Sequence, residues 1–353
     1  MLQDERAEHT SLKTSDFDYA LPQDLIAQTP IEPRDHSRLL VLSRKDGSIQ
    51  HRRFFQIVDY LRPGDVMVFN DSRVIPARLF GHRAETGGKV EFLLLRPLGD
   101  GQWEALAKPG RRLHTGARVL LDGGEESAWA EITGQREDGV KLVRLSSEEA
   151  VERVGHVPLP PYIHEPLKDA ERYQTVYARV KGSAAAPTAG LHFTQELLGR
   201  LQEKGVEFGF VTLHVGLDTF RPVDEEDPRA HRLHSEYAIL PEETARAVNL
   251  ARVEGRRIVC VGTTTARVLE SAGRRAGEGE AVGAFSGWTG LLILPGYRFR
   301  AIDVLVTNFH LPRSSLLMLV SAFAGRETVL RAYAAAVAER YRFYSFGDAM
   351  VIE

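Results

Sequence analysis

The chain has 353 residues, of which 43% are hydrophobic and 26% are charged, and its formal net charge is −3. This composition excludes a largely disordered chain and is typical of a globular protein of about two domains of ~150 residues each. The small net charge argues against attachment to nucleic acid through bulk charge, although it is compatible with a local basic patch. The single cysteine, Cys260, excludes an internal disulfide and a cysteine-rich zinc site, which favours a reducing, cytoplasmic location.

The first 15 residues are polar and of mixed charge, with no apolar core that would indicate a signal peptide. The longest apolar-rich run, residues 316–324, is shorter than the ~20 residues that span a membrane, so it predicts a core helix. We expect an ordered chain that begins near Phe17, no membrane association and a monomeric protein.

The first predicted elements alternate between strand and helix. Asp24 is expected to cap a short helix over residues 25–28. Apolar runs at residues 38–44 and 65–70 predict strands, and the helical spacing of residues 54–61 predicts a helix between them.

The pattern changes from residue 74 to about residue 144, where short runs of strand-forming residues are separated by Gly- and Asp-rich turns. Regular short strands at a spacing of about 8–12 residues, with no helix-length segment between them, predict a small closed barrel or a sandwich.

Beyond residue 151, strand-like runs again alternate with amphipathic helices. The first of these helices has Thr194 as its expected N-cap and Gly205 just past its end. The expected strands and helices that follow cover residues 206–216, 241–255, 256–262, 265–277, 304–311, 314–325 and 326–341. The fold class is therefore α/β. We expect a layered α/β domain formed by residues 1–73 and 152–353, with a small antiparallel β-barrel domain inserted at residues 74–151.

Several segments that carry chemically active side chains follow predicted strands, and open α/β sheets bind ligands at the carboxyl ends of their strands. Three of these segments carry a histidine, namely His192, His214 and His310, and a fourth places Asp71 directly after a strand. A lone histidine near a core is more often a hydrogen-bonded structural residue, but three such histidines indicate a shared crevice. We predict His192, His310, His214 and Asp71 as catalytic residues, and the division between base and acid stays open.

The loop over Thr263–Thr265 joins a predicted strand to the start of a helix. Its free backbone N–H groups and hydroxyls suit a carboxylate or a phosphate, and plain N-capping by the same threonines is the alternative. His231, His234 and Glu236 lie close together, but they lack the HExxH spacing, so we expect no metal site. The chain also lacks the GxGxxG, GxxxxGK[ST] and GxSxG patterns, which disfavours dinucleotide, P-loop and hydrolase functions.

Basic residues of the predicted barrel are candidates for RNA contact, because small barrels often present such loops to RNA. Lys108, Arg111 and Arg112 share one loop, and we expect them to form a positive surface with Arg73 and Arg78. Tyr344 lies in an aromatic segment, residues 341–350, that suits either base stacking or a strand that fills the core.

Eight motifs occur in the chain in the order that one protein family shows. They are NDSRVIPARL (70–79), PLPPYI (158–163), ERYQTVYA (171–178), AAPTAGLHFT (185–194), LHVGLDTF (213–220), VGTTTARVLES (261–271), VTNFHLPRSSLLMLVSAFAG (306–325) and YRFYSFGDAM (341–350). With these motifs the chain closely resembles the S-adenosylmethionine:tRNA ribosyltransferase-isomerases of queuosine biosynthesis, from about Asp18 to Glu353. Asp218 stands where that family usually has glycine, which is a small departure.

The resemblance implies an α/β domain with an inserted barrel and an activity that needs no metal. S-adenosylmethionine would be a co-substrate that donates its ribosyl carbons to the aminomethyl-deazaguanine at the wobble position of a tRNA. The products would be epoxyqueuosine-tRNA, adenine and methionine. Residues that we expect to bind S-adenosylmethionine are Pro187, Thr188, Gly190, Thr263, Thr264, Thr265, Arg267 and Asn308. Residues that we expect to bind tRNA are Arg73, Arg78, Lys108, Arg111, Arg112 and Tyr344.

The alternatives are a non-catalytic tRNA-binding module and an S-adenosylmethionine methyltransferase. A methyltransferase usually has a glycine-rich loop after its first strand and an acidic residue at the end of the next strand, and this pair is not evident in the sequence. A binding module would bind RNA without binding S-adenosylmethionine.

Overall fold

The computed structural model describes residues 12–123, 128–136, 139–147, 149–216 and 223–353. The strands are β1 (Arg38–Leu42), β2 (Ile49–Arg53), β3 (Val66–Asn70), β4 (Ser72–Val74), β5 (Arg78–Arg83), β6 (Lys89–Gly99), β7 (Gln102–Lys108), β8 (Arg118–Leu121), β9 (Trp129–Gln135), β10 (Lys141–Leu145), β11 (Val180–Ser183), β12 (Glu207–Leu213), β13 (Glu236–Leu240), β14 (Ile258–Val261), β15 (Phe285–Thr289), β16 (Val304–Asn308) and β17 (Ala349–Ile352). The α-helices are α1 (Glu149–Val154), α2 (Gln195–Glu203), α3 (Glu242–Val253), α4 (Thr263–Gly273), α5 (Ser315–Ala324) and α6 (Arg326–Ala338).

A large mixed sheet organises the α/β part of the molecule. Within the described residues its nine strands have the order β15-β13-β12-β3-β14-β16-β17-β1-β2. The central neighbours β12, β3, β14 and β16 run parallel, and β17 is antiparallel to β16 but parallel to β1. Every residue of β3, β14, β16 and β17 is buried, as expected for strands whose two faces are both covered.

Two hydrophobic cores lie on opposite faces of this sheet, because successive side chains of a strand point in opposite directions. Val66, Val68 and Cys260 belong to the core that α3 to α6 cover. Met67 and Phe69 belong to the core that α2 and the 3-10 helix Phe54–Tyr60 cover. The predicted layered α/β architecture is confirmed.

The barrel is closed and antiparallel, with the strand order β10-β7-β6-β5-β8-β9. Buried and exposed residues alternate along β8 and β10, so one face of each strand fills the interior. Phe92 and Val119 are fully buried there. The predicted barrel is confirmed, and its strands lie between Arg78 and Leu145. The domain boundaries at 73/74 and 151/152 stay a prediction.

Local structure differs from the prediction at two short helices. The segment expected as a helix over 25–28 forms a 3-10 helix at Gln23–Leu25, with Asp24 inside it instead of capping it. The segment over 54–61 is a 3-10 helix at Phe54–Tyr60. Both segments lie between prolines or strands and are too short to offset the cost of nucleating an α-helix.

The N-terminal part of the described chain packs against the body of the protein. Phe17 is fully buried, and the Thr14 backbone N–H donates to the Glu226 carbonyl at 2.8 Å. No helix among the described residues is long and apolar enough to cross a membrane.

Candidate active site

A cavity with about 630 Å³ of empty space, part of it open to solvent, lies where the parallel strands β14 and β16 end. Segments that are distant in sequence line it, among them the loop before α2, the start of α4, the end of β16 with the residues after it, and residues 344–345 before β17. The predicted site residues in its lining are Pro187, Thr188, Thr263, Thr264, Asn308, His310 and Tyr344. The structure thus brings seven of the predicted residues to one cavity at the sheet edge where α/β proteins bind ligands.

The start of α4 forms one wall of the cavity. Gly262 precedes the helix with a φ of 91°, a conformation that residues other than glycine rarely adopt. No side chain caps this helix, so the N-capping role considered for the threonines is not observed. Thr263 and Thr264 face the cavity, whereas the Thr265 hydroxyl donates to the Val261 carbonyl at 2.7 Å.

Asn308 ends β16 and has its side-chain amide fixed from three sides. Its Nδ2 donates to His192 Nε2 at 3.1 Å and to the Tyr344 carbonyl at 3.3 Å. Its Oδ1 accepts from the Thr188 hydroxyl at 3.0 Å. These contacts leave the amide with one orientation towards the cavity.

His192 lies directly behind Asn308 and does not line this cavity. Because its Nε2 accepts from Asn308, the ring proton is on Nδ1, which donates to the Ser37 hydroxyl at 2.8 Å. The ring stacks on Phe54 with centroids 4.9 Å apart. Burial, with the nearby positive charges of Arg342 and Arg34, lowers the pKa of His192 to about 3. Both ring nitrogens are thus occupied, and the geometry is that of a residue that positions Asn308.

His310 is the predicted histidine that lines the cavity. Its Nε2 lies 2.7 Å from the Thr307 hydroxyl, and its backbone N–H donates to Tyr333 Oη at 2.9 Å. Burial lowers the pKa of His310 to about 3, so the imidazole is neutral at physiological pH. A neutral imidazole at a cavity wall is free to accept a proton, but its lowered pKa makes it a weaker base than an imidazole that titrates near the operating pH.

His214 and Asp71 form a neighbouring polar cluster outside the cavity lining. Asp71 accepts from the Thr212 hydroxyl at 2.7 Å and from Arg179 at 2.8 Å. The His214 ring packs on Gly182, and its buried Nδ1 has no hydrogen-bond partner among the described residues. Burial lowers the pKa of His214, and the charge of Asp71 opposes this shift.

An aromatic pair closes another side of the cavity. The rings of Tyr162 and Tyr344 have centroids 4.6 Å apart, and the Tyr162 hydroxyl lies 2.7 Å from the Ser345 hydroxyl. Tyr344 has a φ of 70°, which is rare for a residue with a bulky side chain. Its carbonyl contacts Asn308, so this unusual backbone conformation contributes directly to the site.

Three residues of the predicted S-adenosylmethionine set lie outside the cavity lining. Gly190 packs so closely on Tyr177 that a Cβ at this position would lie 2.0 Å from the tyrosine hydroxyl. Arg267 is buried in an ion pair with Glu236, and the Thr265 hydroxyl donates to the Val261 carbonyl at the end of β14. Their roles in binding stay predictions.

The predicted RNA-binding residues are distributed over two regions. On the barrel, Arg78 Nε lies 3.2 Å from Glu91, and Lys108 lies opposite Glu91 on the adjacent strand. Arg111 and Arg112 belong to the exposed turn Gly110–Arg112 that follows β7. Arg73, on β4, forms an ion pair with Glu171, and Tyr344 lines the cavity. That the basic residues share one surface stays a prediction.

The histidines considered as metal ligands have other partners or positions. His231 lies 2.8 Å from Glu225, and Glu236 pairs with Arg267. The described residues contain no group of three or more potential metal ligands. Asp218 lies outside the described residues.

Sequence reasoning missed several residues that line the cavity, notably Tyr162, Thr307, Ser314 and Ser345. Tyr162 and Ser345 belong to the PLPPYI and YRFYSFGDAM motifs, so the resemblance carried a signal for them. Thr307 and Ser314 flank His310, but nothing in the sequence shows which hydroxyls face a cavity.

Comparisons with known proteins agree on one family. The family model described as "Queuosine biosynthesis protein" matches residues 14–352. A protein of Dehalococcoides mccartyi (strain CBDB1) named S-adenosylmethionine:tRNA ribosyltransferase-isomerase is 56% identical, over 97% of this chain and 100% of its own length. A protein of the same name from Symbiobacterium thermophilum is 54% identical, again over 97% of this chain and 100% of its own.

Comparison with a solved structure indicates the same family. The crystal structure of a Thermotoga maritima protein, described as S-adenosylmethionine tRNA ribosyltransferase, is 41% identical to this chain with a TM-score of 0.56. The match covers 96% of this chain and 100% of that one. The matched residues include the barrel, the large sheet and the lining of the cavity. This chain belongs to the queuosine biosynthesis protein family.

Proposed function

We propose that this protein transfers the ribosyl group of S-adenosylmethionine to the aminomethyl-deazaguanine at the wobble position of a tRNA and isomerises it. The products are epoxyqueuosine-tRNA, adenine and methionine. The observation that supports the proposal is the cavity at the carboxyl ends of β14 and β16. The chain that contains this cavity matches the named relatives along their whole length.

The lining of the cavity suits S-adenosylmethionine in its chemistry. The Tyr162–Tyr344 pair suits a planar base, and the hydroxyls at the start of α4 suit a carboxylate, because the N-terminus of a helix attracts negative charge.

The reaction needs a general base for a proton of the ribose and an acid for the departing adenine. We assign the base to His310, because it is neutral and lines the cavity. Asn308, held by His192 and Thr188, orients the ribosyl group, and the apolar loop at Pro187 keeps water away.

The test is a product analysis with S-adenosylmethionine and an anticodon stem-loop that carries the aminomethyl-deazaguanine. We expect equal amounts of adenine and methionine and an RNA whose mass has increased by the epoxycyclopentanediol group. A stem-loop with unmodified guanine is the control. Formation of S-adenosylhomocysteine would support a methyltransferase instead, and RNA binding without S-adenosylmethionine binding would support a binding module.

We also propose that the protein works without a metal, as a cytoplasmic monomer. Turnover should therefore be unchanged after dialysis against EDTA, and light scattering should give a mass near 39.3 kDa. Loss of activity that added Mg²⁺ or Zn²⁺ restores would contradict the metal-free reaction.

A further inference from the structure

A second cavity of about 250 Å³ lies beside the first. Arg34, Arg172 and His192 are part of its lining, and Ser345 lines both cavities. His192, on the second cavity, is hydrogen-bonded to Asn308, on the first. The boundary between the two cavities is therefore only one pair of side chains thick at this point.

The positive charges around the second cavity are only partly compensated. Arg172 forms an ion pair with Glu32. Arg34 donates to the Gln174 and Glu171 carbonyls, each at 2.8 Å, and Arg342 donates to the Thr29 carbonyl. In the part of the chain that the structure describes, Arg34 and Arg342 have no ion-pair partner within 4.0 Å.

Arg34 lines the second cavity, and Arg342 is bonded to the carbonyl of Thr29, the residue before Pro30 of the same lining. The charges of both arginines add to the effect of burial in lowering the pKa of His192. The backbone carbonyls that they bind hold the two side chains in place. The carboxylates that act on them, Asp348 for Arg342 and Glu32, Asp169 and Glu171 for Arg34, lie beyond ion-pair distance. A guanidinium that is held in this way and keeps free N–H groups is suited to an oxyanion.

We propose that Arg34 and Arg342 bind a phosphodiester of the tRNA next to the nucleotide that reacts, an inference that rests on the proposed function. The base that reacts has to reach the first cavity, and one ribose connects each base to its phosphates. A base at the first cavity therefore places its own backbone near the second. The carboxylate of S-adenosylmethionine is the other available oxyanion, but the start of α4 already offers it hydroxyls and N–H groups inside the first cavity.

The first experiment measures the binding of the modified anticodon stem-loop to Arg342→Gln at several salt concentrations. We expect binding about ten- to hundred-fold weaker than that of the unchanged protein, as for loss of a hydrogen-bonded charge. The slope of log K against log salt should be smaller by about 0.7–1, as for loss of one phosphate contact. Arg246→Gln is the matched control, because Arg246 is an exposed arginine of α3 that pairs with Glu242 and lines neither cavity.

The second experiment locates the phosphate. Stem-loops with a neutral methylphosphonate on either side of the wobble nucleotide are tested against the unchanged protein and against Arg342→Gln. At one of the two positions, the methylphosphonate should weaken binding to the unchanged protein. It should have little further effect on binding to Arg342→Gln, because both changes remove the same contact. Independent, additive losses at both positions would overturn the proposal.

Arg34→Gln would remove bonds to three backbone carbonyls and is expected to impair folding. The second variant is therefore Arg34→Lys. Arg34→Lys keeps the charge but loses the forked geometry, so we expect weaker RNA binding with an unchanged salt slope. If Arg342→Gln weakens S-adenosylmethionine binding and spares RNA binding, the cations serve the carboxylate and the proposal is wrong. If the unchanged protein neither binds the stem-loop nor releases adenine, the proposed function itself fails.

Discussion

The residue that decides between a catalytic and a structural interpretation of the histidines is His310. It lines the first cavity, and burial lowers its pKa to about 3. We expect His310→Ala to lower kcat by about 10²–10⁴-fold, the usual contribution of a general base, and to change the affinity for S-adenosylmethionine little. Single-turnover release of adenine and calorimetric titration measure the two quantities.

His51→Ala is the control for this variant, because His51 contacts Tyr341 and lines neither cavity. Its turnover should match that of the unchanged protein. Should His214→Ala lose as much activity as His310→Ala, the assignment of the base to His310 would be contradicted and the cluster around Asp71 would become the better site.

His192 is expected to act through Asn308. His192→Ala leaves the Ser37 hydroxyl and Asn308 Nδ2 without their partner and opens a gap beside Phe54, so we expect a loss of about 2–4 kcal/mol in the free energy of unfolding. The KM for S-adenosylmethionine should rise more than kcat falls. His192→Gln keeps an acceptor for Asn308 and should restore most of the affinity.

Thermal unfolding and steady-state kinetics together test this role. A variant His192→Ala that is as stable as the unchanged protein but has lost kcat by 10³-fold or more would show that His192 is itself the base.

The sequence placed the histidines near strand ends but did not distinguish these roles. His192 and His310 both belong to short loop segments, and periodicity gives only the approximate position of a side chain along an element. Which ring lines the first cavity and which contacts Asn308 from behind depends on the contact between the 188–192 turn and β16, two segments far apart in the chain. Arg34 and Arg342 were missed for the same reason.

At the scale of the element, the turn from β14 into α4 controls the shape of the site. Gly262 has a φ of 91°, and a Cβ added there would meet Thr264 Oγ1 at 3.5 Å and Ala189 Cβ at 3.6 Å, which are ordinary contacts. The cost of Gly262→Ala is therefore the backbone conformation, with a φ of 91° and a ψ of 152°, about 1–3 kcal/mol. Because relief of this strain would move Thr263 and Thr264, we expect weaker S-adenosylmethionine binding as well.

Gly279→Ala is the matched control. Gly279 also has a positive φ, 82°, with nothing within 4 Å of an added Cβ, and it does not line the cavity. Chemical denaturation should show a loss of stability for both variants, and calorimetry should show weaker S-adenosylmethionine binding only for Gly262→Ala. Equal affinities for the two variants would contradict the role given to this turn.

The regular elements were the most predictable part of the structure. The helix at residues 195–203 has its expected N-cap, since Thr194 accepts from the Leu197 N–H at 3.1 Å, and Gly205 follows with a φ of 88°. These features depend on neighbours in sequence. The 3-10 helices at 23–25 and 54–60 did not follow from periodicity, because a segment of one or two turns takes its form from the surfaces on which it packs.

For the whole molecule, the buried neutral histidines predict how stability depends on pH. His192 and His310 have pKa values of about 3 in the folded protein and ~6.5 in the unfolded chain, so between these pH values the unfolded state binds more protons. The free energy of unfolding should therefore rise with pH from about 3 to about 6.5. Stability should fall on acidification below ~6.5.

His192→Gln removes one of these two titrations. Its unfolding free energy, measured by denaturation between pH 4.5 and 7.5, should rise less steeply with pH than that of the unchanged protein, by up to ~1.4 kcal/mol per pH unit. Parallel curves for the two proteins would show that His192 is not the buried neutral group described.

The overall architecture was predictable because it depends on composition and on the change of hydrophobic period along the chain. Short alternating strands gave the barrel, and strands alternating with helices gave the layered α/β part. The strand order was not predictable, since the pairing of β17 with both β16 and β1 joins the first and last described strands of the large sheet.

This pairing has a consequence for synthesis on the ribosome. β1 is made early, but its parallel partner β17 is made only after the barrel and the remaining strands of the sheet. Until β17 emerges, β1 keeps an apolar, unpaired edge, which is the kind of surface through which nascent chains associate wrongly. Tyr344 and Ser345, which complete the first cavity, directly precede β17. A nascent chain therefore gains its substrate pocket and covers the edge of β1 at nearly the same stage of translation, and before that stage neither is present.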